Sequence, residues 1–171
     1  MGVEIRLSKE LTPEEWRALF AWGENIFGAE DIDYRWRPKE WHFIAEEDGR
    51  LLAHAGVVKV SLTAGGRGVT VGGVGGVVST PEGRGRHLVH EAMRRAADFI
   101  CGELGAEAGM LFCLERLVAF YARQGWRLVE EEVEFEQPGG KVVSSPFRVM
   151  VLPCGGREWP AGRIEVAGFP W

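Results

Sequence analysis

Two short stretches hold the residue types that could do chemistry. Residues 79–91 read STPEGRGRHLVHE, a loop with two arginines that passes straight into an amphipathic pattern. A strand ending in such a loop gathers backbone N–H groups at a helix start. Those groups lack internal partners, and the helix dipole favours negative charge there. Arg84 and Arg86 add positive charge, and a diphosphate fits the arrangement. The second stretch, Phe120-Tyr121-Ala122-Arg123-Gln124-Gly125-Trp126, supplies a phenol that can hold or give a proton. Glu115 follows an apolar run at 110–114 and could point into a cleft as a general base.

Other readings of the same residues fail on spacing. The GxxxxGK[ST] phosphate loop is absent, and Gly83-Arg84-Gly85 has Leu88 where a dinucleotide fingerprint needs its third glycine. Cys101, Cys113 and Cys154 are widely spaced, with no metal-ligand pattern and no evident disulfide framework, so three buried thiols and no metal are expected. Asp31 and Asp33, beside Tyr34 and Trp36, could line an amine site. Glu130, Glu132, Glu134 and Glu136 share one strand face and read as a solvated ladder. His54 and His90 read as structural or exposed, and the terminal carboxylate of Trp171 could meet a bound amine if the tail folds back.

The elements that must position these groups are legible in outline. Val3, Ile5 and Leu7 alternate as a first strand. Thr12, Pro13 and Glu15 form a capping-box start for a helix that should end near Asn25. Residues 28–41 read as a loop with a short helix. Residues 43–46 and 51–62 form a hairpin, and 69–79, VTVGGVGGVVS, is a glycine-rich strand that suggests a bulge or a close backbone approach. Apolar residues then recur with helical period from Leu88 to Ile100. A strand at 110–114, a helix at 115–124, and strands at 126–136 and 141–152 follow, with 164–166 as one more. The class is α+β or three-layer α/β, a mixed sheet flanked by helices.

The chain has 171 residues, 46% hydrophobic and 26% charged, which suits a single domain spanning 1–171. A formal charge of −5 argues against a general nucleic-acid binder and weakly favours a neutral or cationic small molecule. No run of about 18 apolar residues occurs, and MGVEIRLSKE is too charged for a signal peptide, so a soluble, cytoplasmic protein without membrane contact is expected. Seven tryptophans offer core, pocket or dimer contacts.

PEGRGRHLV resembles the acyl-CoA-binding motif of the GCN5-related N-acetyltransferases, an Arg or Gln, two residues, Gly, one residue, then Gly or Ala. Arg84 matches its first position, and His87 and Val89 stand where small residues are usual. Phe120-Tyr121 before Gly125-Trp126 resembles the family's second signature, and the order of elements over 43–136 agrees. The family's frequent asparagine upstream is replaced by Leu114-Glu115-Arg116. The ending GREWPAGRIEVAGFPW is similar to the ends of nodulation N-acyltransferases and aminoglycoside 2'-N-acetyltransferases.

The resemblance implies a mostly antiparallel central sheet and a cosubstrate, acetyl-CoA. Its diphosphate would lie on Arg84, Gly85, Arg86, His87, Leu88 and Val89, and its pantetheine arm along the edge of Val77, Val78 and Ser79. It implies direct attack of an amine on the thioester, with Tyr121 protonating the CoA thiolate and the N–H of Val78 or Ser79 steadying the oxyanion. Two alternatives share the fold: a non-catalytic acyl-CoA-binding regulatory module and a longer-chain N-acyltransferase.

Overall fold

The computed structural model describes residues 2–23, 26–27 and 33–171. Strand β1 (Glu4–Ser8) leads to helix α1 (Pro13–Phe20). The capping box forms as its sequence demands: Glu15 N–H donates to Thr12 Oγ1 at 3.1 Å, and Thr12 N–H donates to Glu15 Oε1 at 2.9 Å. The helix stops at Phe20, short of the expected end, where Trp22 Nε1–H donates to Leu19 O at 2.7 Å and satisfies a last-turn carbonyl. Asn25 and Asp31 lie outside the described residues.

Strands β2 (Trp41–Glu47), β3 (Arg50–Ala64) and β4 (Arg67–Ser79) form a meander. Both of its turns use left-handed residues: Asp48 and Gly49 have φ of 50° and 76°, Gly65 and Gly66 58° and 80°. That matches the twist of a two-residue hairpin loop. Helix α2 (Leu88–Cys101) then crosses to β5 (Ala108–Cys113), which lies parallel to β4. After α3 (Val118–Ala122) come β6 (Arg127–Val129), β7 (Val133–Gln137), β8 (Lys141–Ser144), β9 (Arg148–Pro153) and β10 (Ile164–Val166). The strand order is β6-β9-β5-β4-β3-β10-β7-β8, with β2 and β1 added beside the first half of β3. Among the described residues only β4–β5 and β10–β7 are parallel pairs. The class is the expected one, a mostly antiparallel mixed sheet flanked by helices.

Two expected strands are each divided. The 126–136 stretch pairs with β9 at its start and with β8 and β10 at its end, and the glutamates at 130–132 bridge the two parts of the sheet. The 141–152 stretch breaks at Pro146, which cannot donate to a ladder. No helix among the described residues is long and apolar enough to cross a membrane.

Each face of the sheet carries its own core. On one face Ala92, Met93, Ala96 and Ile100 of α2 pack with Phe43, Ala55, Val57, Val74 and Leu111. A Cβ on Gly72 would lie 2.4 Å from Ile100 Cγ1, so the small residue lets the helix close on β4. On the other face Val58, Val60, Val71, Met110, Phe135 and Trp171 cluster.

The expectation of three thiols holds only for Cys113, which is free and buried, because Cys101 and Cys154 are bonded to each other. Antiparallel pairing of β5 with β9 and the Cys154 N–H bond to Glu107 O bring the end of β9 to the end of α2, where the two Cα atoms are 5.3 Å apart. That meeting is made by tertiary structure across 53 residues and leaves no spacing signal. Replacing both cysteines by serine is expected to cost about 2–4 kcal/mol. Urea denaturation with and without reductant checks it: the reductant should shift the midpoint of the native chain and leave that of the variant in place.

Candidate active site

The site is a fork in the sheet. β4 pairs with β5 only from Val71–Ala108 to Val74–Leu111. Beyond that point β4 runs on to Ser79 along β3, while β5 runs on to Cys113 along β9, and the two strands part. The β3–β4 register shifts between His54 and Gly56, so two residues, Gly76 and Val77, oppose Ala55. Gly76 adopts φ +61°, as a bulge with a left-handed residue requires. The glycine-rich strand thus contains both the bulge and the close approach its composition suggested.

His54 fixes the bulge. It is buried (1% exposed), and its Nδ1 lies 2.6 Å from Gly76 O, so Nδ1 carries the proton and donates it. The other nitrogen, Nε2, is then an acceptor for His42 Nδ1–H at 2.8 Å. Because a trans peptide sets its C=O and N–H on opposite sides, turning Gly76 O to His54 turns the Val77 N–H away from it. The ladder agrees. Thr80 N–H donates to Leu52 O of β3, so by strand alternation Val78 faces β3, while Val77 and Ser79 face the open side. Of the two expected oxyanion donors, Val78 faces β3 by this alternation, while Ser79 and its neighbour Val77 face the open side.

Burial pushes the His54 imidazole down to about 4, against the help of its bond to Gly76, and it also lowers His42. The positive charge of Lys39 acts in the same direction on both rings. Phe20 of α1 meets His54 edge-on, with centroids 5.2 Å apart. The sequence marks His54 only as structural or exposed. Its tie to the bulge depends on cross-strand register, which local pattern does not reveal.

The loop after β4 is pinned and then left open. Thr80 Oγ1 donates to Leu51 O and Leu52 O, Gly83 N–H to Thr80 O and Arg86 N–H to Gly83 O. A Cβ on Gly83 would stand 2.1 Å from Leu52 O, so only glycine lets the loop lie this close. His87, the first motif position lacking its usual glycine, has φ 57° and ψ 24°. The left-handed geometry is retained by a residue that pays a strain cost glycine would not. Its side chain makes no capping bond to α2, which leaves the first-turn N–H groups of that helix, Leu88 and Val89 among them, without a side-chain cap. Arg84 and Arg86 are not loose charges: Arg84 lies 5.2 Å over the Trp22 ring, and Arg86 forks onto both oxygens of Glu47 at 3.0 Å.

Tyr121 is buried (6% exposed) in the same cluster as Val74, Leu111 and Cys113, the residues around the fork. Burial raises its phenol above the ordinary range, with the nearby Cys113 adding to the shift, so it stays protonated at physiological pH. Its hydroxyl has no hydrogen-bond partner among the described residues. Glu115 lies elsewhere: its side chain is 76% exposed and pairs with Arg148 at 3.3 Å. Asp33 is exposed. His90, in the first turn of α2, has both ring nitrogens buried and without a hydrogen-bond partner among the described residues, with its ring 5.1 Å from Phe120.

On the face opposite α2 the tail does fold back onto the sheet, and it meets Lys39, a residue the sequence does not single out. The Trp171 ring lies where a Cβ on Gly73 would be 2.5 Å from it, and Trp171 Nε1–H donates to Met110 O at 3.0 Å. Lys39 runs across the paired glycines Gly56 and Gly75. Among the described residues no cluster of His, Cys, Asp or Glu could hold a metal ion.

Two outcomes follow. A base with a depressed folded-state pKa stabilises the fold above its unfolded value and loses that stability as pH falls. His54 should therefore weaken the fold by up to about 3 kcal/mol between pH ~6.5 and ~4, and His54→Asn should flatten that slope in urea titrations across pH. His87→Gly, relieving a left-handed side chain, should raise stability by about 1 kcal/mol, whereas His87→Val should lower it. The same denaturation curves measure both.

Comparison with known proteins agrees with this geometry. The family model described as an acetyltransferase (GNAT) domain matches residues 8–129. Among curated proteins there is no significant match. An acyl-CoA N-acyltransferase from Pseudomonas aeruginosa superposes with TM-score 0.58 at 23% identity, covering 88% of this chain and 99% of its own. A GNAT family acetyltransferase from Brucella melitensis in complex with acetyl-CoA gives 0.58 at 18%, covering 94% of each chain. The Escherichia coli N-acetyltransferase YhbS in complex with CoA gives 0.60 at 18%, covering 97% of this chain and 91% of its own. These structures share the fold, and with the family match over most of its length the chain belongs to the GNAT acetyltransferase family.

Proposed function

We propose that the protein transfers an acetyl group from acetyl-CoA to a primary amine of a small molecule. The observation that carries this reading is the fork: an unpaired edge of β4 with the Val77 and Ser79 N–H groups turned into it, beside a buried, protonated Tyr121. A pantetheine arm can add to that edge as an extra strand, and its diphosphate would reach the uncapped start of α2 through the segment from Arg84 to Val89.

In the reaction the neutral amine attacks the thioester carbonyl and a new N–C bond forms. Charge gathers on the carbonyl oxygen, where the N–H of Val77 or Ser79 can receive it. As the C–S bond breaks, the thiolate takes a proton from Tyr121, and the proton lost by the attacking nitrogen returns to the phenolate by way of solvent. Glu115 has no part in this path, because its carboxylate is engaged at the surface with Arg148.

Acetyl is favoured over a long acyl group on grounds of space. Trp171 and Lys39 cover Gly73 and Gly75 on the face opposite α2, where a long chain emerging from the fork would have to go. The resemblance of the tail to nodulation enzymes makes the long donor worth including as an arm of the test.

The test is CoA thiol release across a panel of primary amines, with acetyl-CoA and a long-chain acyl-CoA as donors. Amine-dependent release from acetyl-CoA is expected. Tight CoA binding without release for any amine would identify a binding module instead. Tyr121→Phe should lower kcat by about 10²–10³-fold with little change in KM, since it removes a proton donor used in the transition state.

A further inference from the structure

The acceptor side of the fork holds an amine that belongs to the protein. Lys39 precedes β2, and its side chain lies flat across the sheet. A Cβ on Gly56 would stand 2.6 Å from Lys39 Cγ, and one on Gly75 would stand 2.6 Å from Cε and 3.1 Å from Nζ. Gly56 and Gly75 are a directly paired couple on β3 and β4. The two missing side chains therefore form a floor that the lysine stem occupies, and the stem ends over Gly75, next to the bulge at Gly76 and Val77.

Among the described residues Nζ makes one hydrogen bond, donating to Arg37 O at 3.3 Å, and Lys39 takes part in no ion pair with a side chain. Its charge is felt by His42 and His54, which stay neutral beside it. Trp171 closes the other side, and the carbon of its terminal carboxylate, the group expected to meet an amine if the tail folds back, also lies 3.1 Å from the Gly75 Cβ position, so its negative charge faces the Lys39 amine across the same floor. The side chains of Arg37 and Glu40 are directed elsewhere: Arg37 Nε donates to Phe169 O, and Glu40 Oε1 accepts from Lys59 N–H.

We propose that Lys39 is an acceptor in its own right, and that the protein transfers an acetyl group from acetyl-CoA to Lys39 Nζ. This rests on the reading of the fork as an acetyl-CoA site. The neutral Nζ attacks the thioester carbonyl and forms the N–C bond, and the C–S bond breaks. The proton released from nitrogen ends on the departing sulfur, which gives an acetamide on Lys39 and free CoA thiol. Burial favours the reactive form: it brings the Lys39 amine down to about 8, where an exposed lysine stays near 10.4. The product has lost the charge that the two histidines now feel.

The test uses the intact protein with acetyl-CoA and no added amine, followed by peptide mass mapping. The other three lysines, Lys9, Lys59 and Lys141, are exposed and serve as internal controls. Lys39 is expected to gain one acetyl group roughly a hundredfold faster than they do, because its amine is already held beside the fork. The rate should be first order and independent of protein concentration, and it should rise with pH through about 8. The preference should vanish in urea-unfolded protein, and Lys39→Arg should abolish the stoichiometric release of CoA thiol. If Lys39 reacts no faster than the other lysines while the same sample binds acetyl-CoA and acetylates added amines, self-acetylation is overturned and the proposed function stands. If acetyl-CoA neither binds nor turns over with any amine, both fall.

Discussion

A strand can change which of its amides face a neighbour only by gaining or losing a residue, and β4 does this at Gly76. The displaced carbonyl needs a donor, and His54 supplies one from β3 at 2.6 Å. That bond turns the next N–H toward the fork, on the side where β4 has already parted from β5 beyond Val74. The imidazole donates to Gly76 O in either protonation state, but only while it is neutral can its other nitrogen accept from His42. A buried polar chain of this kind is costly when any member is unsatisfied. The stability of the sheet and the shape of the fork therefore depend on the same pair of rings.

Glycine does different work along the same stretch of strand. Gly72 admits Ile100 of α2 on one face, Gly73 admits the Trp171 indole on the other, and Gly75 with Gly56 admits the Lys39 stem. Gly76 alone is needed for its backbone angle. One run of small residues thus brings a helix, the tail and a lysine against the sheet at the place where its hydrogen-bond ladder opens. Loss of any one of these side-chain spaces would act on packing before it acted on chemistry.

Much of this was legible in the sequence because it is local. The capping box at Thr12, the turn residues of the meander, the α2 periodicity and the PEGRGRHLV loop all carry their geometry within a few residues. The left-handed position at His87 was marked by a motif that expects glycine there. What could not be read depends on register or on remote pairing. The histidine chain needs the β2–β3–β4 alignment, and the Cys101–Cys154 bond needs β9 beside β5. Glu115 illustrates the converse: a carboxylate after an apolar strand suggests a cleft, but Arg148, its neighbour on β9, holds it at the surface.

The wall beside Lys39 is stitched from two segments far apart in the chain. Arg37 N–H donates to Pro170 O, and its guanidinium donates to Phe169 O and Ala167 O. Gly168, at φ +114°, leaves room for it where a Cβ would lie 2.7 Å from Arg37 Nη2. Neither segment can drift in sequence without altering the surface the other presents. On the proposed function, divergence in acceptor choice between related chains should therefore show up as paired changes at both ends, with the fork and the loop after β4 left alone.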